Sequence, residues 1–417
     1  MEKSRRRKDR KTTSLDTSDQ QSWPQLLTID LMMDIFSRLS LKSIAICRCV
    51  SKQWTSLIGQ SDFRDLRLTR SQARPRLLFA CIQDKKVSFL SSPQPQSPDQ
   101  ISSTTPLNAD YHMSFSFDHP LEDVSTSVSG FVCVSFSGHR LVNGRKFAVE
   151  ESVICNPTTG QSLTIPRMNT KKRTGMIRFF GYDPVEKLHK VLGMICPSSS
   201  RRTMEHQVLT LASATTWRRT TECGIHCCIS EHTHNICING VFYYIEFVRD
   251  VSSGGPISDL MVICFDVRSD KFSFVKFPEG NHPWHVDFLE LLDCNGKLAF
   301  VSSGSLYATS ESIVMWVLQD PERHEWSRCV CILPPMWKDI VVDPKERLEI
   351  VGVNGGPNEF VMAPTYSSDP FHVYYCNFEK GTVTRVVIQG MGAFGNGRTN
   401  YVRTYLNHVE DVKLMKL

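Results

Sequence analysis

The 417-residue chain lacks a long apolar run and lacks the apolar N-terminal stretch of a secreted protein. No window approaches the ~18 uninterrupted apolar residues that a membrane-spanning helix requires. Met1 is followed by charged residues, which is atypical of a secretory signal. We therefore expect a soluble, intracellular protein with no membrane partner.

The chain also lacks net charge once its first residues are set aside. Its 48 Lys and Arg against 43 Asp and Glu give a formal charge of +5, but residues 1–11 hold seven of the basic and two of the acidic residues. Residues 12–417 are therefore neutral, which argues against a nucleic-acid-binding body. The basic arm suits a nuclear-import address or a solvated tail, and direct nucleic-acid contact is a distant third alternative. We expect the protein in the nucleus and/or the cytoplasm.

The common catalytic motifs are missing as well. No GxSxG elbow, GxxxxGK[ST] loop or HExxH helix occurs, so the sequence predicts no active site and no enzyme. Gly390, Gly392 and Gly395 form a GxGxxG pattern, but the following RTNYVRTY alternates as a strand where a nucleotide site needs a helix. We expect a glycine-rich loop there and no bound cofactor.

Fifteen cysteines are an odd number, and most lie in apolar strand-like runs, as Cys133 and Cys264 do. They are predicted to be free, mostly buried thiols. A structural zinc site generally needs two ligand pairs of short, fixed spacing. The densest group of possible metal ligands lacks a clean CxxC pair of this kind, so we expect no metal. Its members are Cys223, His226, Cys227, Cys228, His232, His234 and Cys237.

Helical spacing is confined to a short segment near the N-terminus. Residues 1–22 are polar and aperiodic and are predicted to be disordered. A first helix is indicated by apolar residues three and four apart, a second begins at Leu41, and a third follows Ser51, a predicted N-cap, and ends before Gly59. The apolar residues of the first helix are Leu27, Leu31, Met32, Ile35, Phe36 and Leu39.

These apolar residues occupy two faces of the first helix. A unit of about forty residues buries little surface alone, so a second apolar face needs a partner. Periodicity leaves two alternatives open: the face packs on the rest of this chain, or a separate adaptor protein covers it.

From about Arg70 onward the apolar period changes to two, and turn sequences recur. Hairpins every 25 to 30 residues predict four-stranded units of roughly 50 residues, the size of a propeller blade. About six blades would fit, and a pair of β-sandwiches is the alternative. The stretch at 91–105, rich in Ser, Pro and Gln, is predicted to be a mobile loop. The predicted turns begin at Asn156, Asp183, Asn239, Asp266, Asn295, Asp320, Asp343 and Asn377.

Residues 29–58 resemble an F-box. They contain the Asp30–Leu31 and Arg38–Leu39 pairs of that family and its Cys-Val-Ser-Lys-x-Trp hexad at 49–54. Downstream, CNPTTGQ, FFGYDPVEKLHKVL, ICINGVFYY, CFDVRSDKFSFVKFP and LLDCNGKLAFV resemble the F-box-associated, kelch-like repeat domain of a large plant family. The expected fold is thus a small three-helix F-box at 23–68, followed by an all-β, propeller-like domain at 69–417.

The resemblance implies the non-catalytic substrate receptor of a Skp-cullin-F-box ubiquitin ligase. Its partners would be a Skp-family adaptor, through it the cullin and RING subunits, and an unknown target protein. The alternative is an interaction module whose degenerate F-box binds partners without degrading them, since Thr28 and Ser40 replace two usual prolines. Ser40 would offset part of that loss as an N-cap. The adaptor contacts implied are Leu27, Ile29, Leu31, Ile35, Leu39, Leu41, Ile44, Val50 and Trp54, with Trp54 as a buried anchor.

Overall fold

A computed structural model gives the fold of the chain in two compact units, residues 1–63 and 64–417, and each is described by itself. The boundary lies five residues before the predicted 68/69 division. The structure describes residues 27–83, 85–96, 105–118, 121–125, 127–142, 145–168, 176–195, 205–211, 216–220, 226–227, 235–248, 259–278, 289–301, 306–355, 358–392 and 400–413.

Three helices lie wholly within the described part of the first unit: α1 (Ile29–Ser37), α2 (Leu41–Val50) and α3 (Lys52–Ile58). α1 packs on α3 through an edge-to-face contact between Phe36 and Trp54, whose ring centroids lie 5.0 Å apart. The three predicted helices are confirmed. A fourth, α4 (Ser61–Gln72), was not predicted, because its sequence is mostly charged and shows little apolar periodicity.

The second unit is a propeller of six mainly antiparallel blades, and the strand repeat predicts about six without fixing the number. Blade 1 joins strands from both ends of the unit: β1 (Arg76–Gln83), β2 (Lys86–Pro93), β4 (Asp110–Ser116) and β26 (Tyr401–His408). Blade 2 contains β5 (Leu121–Val124), β6 (Val132–Val142), β7 (Arg145–Asn156) and β8 (Gln161–Thr164). Blade 3 contains β9 (Met176–Asp183), β10 (Leu188–Ile195), β11 (Glu205–Leu211) and β12 (Arg218–Arg219).

The remaining three blades follow in chain order. Blade 4 contains β13 (His226–Cys227), β14 (Asn235–Ile238), β15 (Val241–Val248), β16 (Asp259–Asp266) and β17 (Lys271–Lys276). Blade 5 contains β18 (Glu290–Cys294), β19 (Lys297–Val301), β20 (Ser312–Asp320) and β21 (Glu325–Ile332). Blade 6 contains β22 (Leu348–Val353), β23 (Glu359–Pro364), β24 (Phe371–Asn377) and β25 (Thr382–Gln389), and is preceded by the short helix α5 (Trp337–Ile340).

Two pairings connect parts of the chain that are distant in sequence. β26 pairs antiparallel with β1, so the last strand completes the first blade and closes the ring. β3 (Leu107–Asn108) pairs in parallel with the end of β25, adding a short fifth strand to the outer edge of blade 6. Strand propensity and turn residues are local signals in the sequence. No local signal specifies either of these long-range pairings, so neither could be predicted.

The apolar core is divided among the six contacts between neighbouring blades. Each contact holds one cluster of buried side chains drawn from both blades. Phe79 and Val361 belong to the cluster of blades 1 and 6, whereas Phe89 and Val132 belong to that of blades 1 and 2. Cys133 and Cys264 are buried free thiols, as predicted. Burial also raises the pKa of the Cys264 thiol to about 12.

The predicted turns connect paired strands with one exception. Asp343 follows α5 and joins blade 5 to blade 6, so it does not form a hairpin. The polar residues that suggested a hairpin instead form a short turn, in which Asp343 Oδ1 accepts a hydrogen bond from the Lys345 N–H at 2.9 Å. Residues 91–93 belong to β2, so this part of the predicted loop at 91–105 is a strand instead.

Several predictions concern residues outside those described. They are the disordered arm at 1–22, most of the loop at 91–105, Gly395, and four of the seven candidate metal ligands. The strand predicted after the glycine pattern is confirmed as β26. Within the described residues, no helix has the length and apolarity to cross a membrane.

Candidate functional site

An apolar row is exposed along α1 and the residues that precede it. We call Leu27, Ile29, Leu31 and Ile35 the α1 row; their side chains are 40 to 54% exposed. Leu31 and Ile35 are four residues apart, on one face of the helix, while Phe36 is turned inward and is 6% exposed. The second apolar face predicted from the sequence is therefore present and faces solvent.

A second exposed row lies on α2. Ile46 and Val50, four residues apart and 65% and 59% exposed, form the α2 row. Sequence reasoning included Val50 and missed Ile46, because the apolar spacing of this short helix was counted from Ile44. Counting i, i+4 pairs in both directions would have found it.

The other predicted contact residues are less accessible. Leu39, Leu41 and Trp54 are half-buried. Ile44 is only 2% exposed, since its side chain fills the interior, and it does not belong to the exposed apolar surface. Trp54 packs on Phe36, which gives it a structural role inside the helical unit.

Hydroxyl side chains fix the starts of all three helices. Thr28 Oγ1 accepts a hydrogen bond from the Leu31 N–H (3.3 Å), Ser40 Oγ from the Ser43 N–H (3.2 Å), and Ser51 Oγ from the Trp54 N–H (3.1 Å). Each bond satisfies one of the backbone donors that a helix leaves unpaired at its N-terminus. The two residues that replace the usual prolines are therefore N-caps. They set the start of α1 and α2 by hydrogen bonding where proline would do so by restricting the backbone.

Removing these caps is expected to destabilise the helical unit. Thr28→Ala and Ser40→Ala should each lower the free energy of unfolding by about 1 kcal/mol, because each leaves a helix-terminal N–H without its side-chain acceptor. Chemical denaturation followed by circular dichroism measures the change. Ser56→Ala is the matched control, since Ser56 is exposed inside α3, where alanine is favourable. Equal effects at all three positions would contradict the capping role.

The centre of the propeller is a second candidate site. A channel of about 470 Å³ is lined by the innermost strands, including β14, β18, β22 and β26. Its lining includes the acidic residues Glu290, Asp293 and Glu349 and the basic residue Arg403. The Tyr401 hydroxyl donates to the Glu349 carboxylate (3.4 Å). Burial raises the pKa of Tyr401 to about 12, and the nearby carboxylates add to this effect.

One pair beside the channel has the composition of a nucleophile and a base. Ser127, which lines the channel, lies with its Oγ 3.0 Å from Nδ1 of His408. Burial, aided by His112 and Arg76, lowers the pKa of His408 to about 3, so it is a weak base near neutral pH. Among the described residues its Nε2 has no hydrogen-bond partner, so no carboxylate there orients the ring. The pair suits a structural hydrogen bond better than acyl transfer.

Metal chemistry finds little support in the described part of the chain. No group of three or more His, Cys, Asp or Glu side chains there could hold a metal ion. Cys237 lines the channel, and its Sγ donates to the Tyr182 carbonyl (3.9 Å). Burial raises the pKa of this thiol to about 11, which disfavours the thiolate that a metal binds.

Both units match known family models. The model of the F-box domain matches residues 25–66, and that of the F-box associated beta propeller domain matches residues 76–409. F-box protein DOR of Arabidopsis thaliana is 44% identical over 394 residues, which cover 93% of this chain and 94% of that protein. F-box protein At5g65850 of the same plant is 40% identical, over 99% of this chain and 95% of its own length.

Solved structures are more distant. The β-propeller domain of the trilobed protease from Pyrococcus furiosus is 11% identical, with a TM-score of 0.35, over 64% of this chain and 70% of that one. A similarity of this size carries no argument about function.

Proposed function

Because the chain belongs to the F-box proteins that carry an F-box associated β-propeller domain, we propose that it is the substrate-recognition subunit of a Skp-cullin-F-box ubiquitin ligase. The helical unit binds a Skp-family adaptor, and through it the cullin and RING subunits. The propeller holds a target protein. The chain itself performs no bond-making step.

The observation that carries this proposal is the pair of exposed apolar rows on the helical unit. Fully burying a Leu, Ile or Val side chain gains about 1.5–3 kcal/mol, so the half-exposed residues of the α1 row each retain about 1 kcal/mol for a partner. Apolar residues at i and i+4 are the pattern by which helices bind grooves or other helices. The rows therefore support protein binding by this unit.

The contribution of such a receptor to ubiquitination is proximity. A target held on the propeller has its lysines at high local concentration near the charged conjugating enzyme that the RING subunit recruits. This role requires two binding surfaces and no catalytic group. It agrees with the weak basicity of His408 beside the channel.

A double substitution in the α1 row tests the adaptor interaction. Leu31→Asp with Ile35→Asp places two carboxylates where apolar contacts are proposed, and we expect adaptor affinity to fall at least about a hundredfold. Co-purification and calorimetry with a purified Skp-family adaptor measure it. Val185→Asp is the control, because Val185 is 66% exposed in a propeller turn. Unchanged adaptor binding by the double variant would refute the proposed surface.

The degenerate F-box remains the competing hypothesis, and the helix caps bear on it. Thr28 and Ser40 cap α1 and α2, which weakens the argument that losing the two prolines disables the unit. The alternative predicts that partners of the propeller keep the same lifetime when residues 23–68 are deleted. The proposed function predicts that their lifetime increases.

A further inference from the structure

The outer edges of the blades differ in how they are protected from pairing with another chain. An open strand edge is a template for added strands, and proteins usually shield it by shortness, lysines, bulges or a covering segment. The outer strands β8 and β12 are only four and two residues long. β17 exposes Lys271 and Lys276 at its ends, β4 is paired through a bulge, and β25 is partly covered by β3.

β21, the outer strand of blade 5, is paired through a bulge only near its start, opposite Glu325 and Trp326, and its C-terminal half has none of these protections. It is eight residues long and, in the described part of the chain, pairs on one side only, with β20. Val330 and Ile332 point to the same side and are 47% and 74% exposed. Ile332 has the highest exposure of the large apolar side chains in the described residues.

Further apolar residues are exposed next to this edge. Met336 follows β21 by four residues and is 44% exposed. Tyr307 is 39% exposed, and its carbonyl accepts a hydrogen bond from the indole N–H of the buried Trp337 (3.0 Å). Two more exposed apolar residues thus belong to the segments that precede β20 and follow β21 along the chain. Isolated exposed residues need no explanation, but a group in one blade marks an interaction surface.

We propose that the edge of β21 binds an extended segment of the target protein, which adds to blade 5 as a fifth strand. This inference rests on the proposed function for the identity of the partner. Backbone hydrogen bonds along the edge supply affinity, and Val330 and Ile332 select apolar residues at alternate positions of the segment.

Charge narrows the chemistry of this segment. Arg328 lies on the same side of β21 as Val330, is exposed, and stacks over the Trp316 ring with its guanidinium carbon 6.0 Å from the ring centroid. A carboxylate two residues from the apolar positions would pair with it. The segment therefore carries two alternating apolar residues followed or preceded by Asp or Glu.

The propeller already contains an example of this binding mode. β3, a two-residue segment separated from its partner by most of the chain, pairs in parallel with the outer strand of blade 6 through Leu107 and Ile388. Leu107 packs against the buried cluster of blades 1 and 6. An outer edge of this fold thus accepts an extended segment whose apolar residue contacts the blade.

Selection from a phage-displayed library of random octapeptides on the purified full chain, without adaptor, tests the proposal. Enriched peptides are expected to alternate apolar residues with a nearby Asp or Glu. Val330→Lys with Ile332→Lys should weaken their binding at least tenfold, whereas Val185→Lys should leave it unchanged. Methylating the backbone nitrogens of the pairing edge should weaken binding, and methylating the opposite edge should not, since only the first removes donors to β21.

Three outcomes would overturn the proposal: no enriched peptides, enriched peptides that bind the double-lysine variant equally well, or peptides indifferent to methylation. Both lysine positions are exposed, so the variant should keep its thermal unfolding midpoint. The selection contains no adaptor, so a failure to find peptides that bind β21 would not count against the ubiquitin-ligase proposal. Adaptor retention by the same double-lysine variant tests that proposal independently, and it should equal that of the wild type.

Discussion

A chain that stops after residue 399 is expected to lose the cooperative unfolding transition of its propeller. The deletion removes β26, which pairs with β1 from Arg76 to Ile82 and completes blade 1. It also removes buried apolar side chains such as Val402 and Tyr405, and each of these accounts for about 1.5–3 kcal/mol of burial free energy. β1 would then have an unpaired edge facing the central channel.

The residues after β26 add to the loss. The Asp411 carboxylate is fully buried and accepts hydrogen bonds from Arg64 Nε (3.0 Å) and Nη2 (2.6 Å). Asn156 Nδ2 donates to the Asp411 carbonyl at 2.8 Å. Removing one member of a buried ion pair typically costs about 3–5 kcal/mol, because the other charge loses its partner. Together these losses equal the whole stability of a typical domain, about 5–15 kcal/mol.

Differential scanning calorimetry and limited proteolysis measure the effect of the truncation. The matched control is a chain that stops after residue 413, which keeps β26, Asp411 and Lys413. It should unfold at the wild-type temperature, whereas the chain that stops after residue 399 should show no propeller transition and rapid cleavage. A truncated chain with an intact transition would show that ring closure through β26 is dispensable.

Ring closure also marks the limit of what the sequence predicted. Hairpins such as those at Asp183 and Asn295 have local turn signals, so their strands could be predicted, whereas the divergent repeats gave only an approximate number of blades. The pairing of β26 with β1 joins residues more than 300 positions apart, and no local signal specifies it. α4 was missed because its sequence is mostly charged and shows little apolar periodicity. One contact that stabilises it, the ion pair between Arg64 and Asp411, joins it to the far end of the chain and leaves no local signal in the sequence.

The same distinction applies to the candidate site. Two apolar faces on α1 could be predicted from spacing, because three- and four-residue intervals define a helix surface. The residues of α2 that face outward could not be predicted in this way. Ile44 and Ile46 have the same chemistry and differ only in the packing around them. The open edge of β21 could not be predicted either. It is recognised only by comparison with the other five outer strands, whose pairing and protection become visible in the folded ring.

Acid is expected to destabilise the propeller from about pH 6.5 downward, above the range in which most carboxyl groups titrate. His189 and His408 are 3% and 1% exposed, and burial lowers the pKa of each to about 3. His189 Nε2 donates to the Val128 carbonyl at 3.2 Å among aromatic rings, and the cations of Lys413 and Arg64 further disfavour its charged form. Burial and Arg76 lower the pKa of His112 to about 4.

The direction of the effect follows from proton binding. In the unfolded chain histidine has a pKa of about 6.5, so below that pH the unfolded state binds protons that the folded state excludes. The contribution of each histidine to the free energy of unfolding is fully present above about pH 6.5. It decreases as the pH falls toward the pKa of that histidine in the folded state. The decrease approaches about 1.4 kcal/mol per pH unit for each histidine, or about 2–3 kcal/mol each by pH 4.5.

One more histidine acts in the same direction, because burial, aided by Arg385, lowers the pKa of His372. Two aspartates act outside this window, and one glutamate acts in the opposite direction. Asp183 and Asp266 have pKa values lowered by hydrogen bonds from backbone N–H groups, so their contribution is lost only at lower pH. Burial, with Asp343 nearby, raises the pKa of Glu346 to about 7. Because folded Glu346 binds its proton at a higher pH than the unfolded chain does, it makes the folded state more stable as the pH falls. This offsets part of the histidine effect. The net change between pH 6.5 and 4.5 remains a loss, because in the described part of the chain four histidines with lowered pKa values oppose one carboxyl with a raised pKa.

Urea denaturation at half-unit pH intervals measures this loss, and a single substitution assigns it. His189→Gln keeps a neutral donor for Val128 but cannot titrate, so the pH dependence between 6.5 and 4.5 should weaken by about 2–3 kcal/mol. The matched control is His324→Asn in the turn between β20 and β21, where asparagine tolerates the positive φ of 57°. It should retain the wild-type slope. Equal slopes for the wild type and His189→Gln would mean that the ring of His189 accepts a proton without unfolding, contrary to its burial among Phe131, Phe180 and Tyr182.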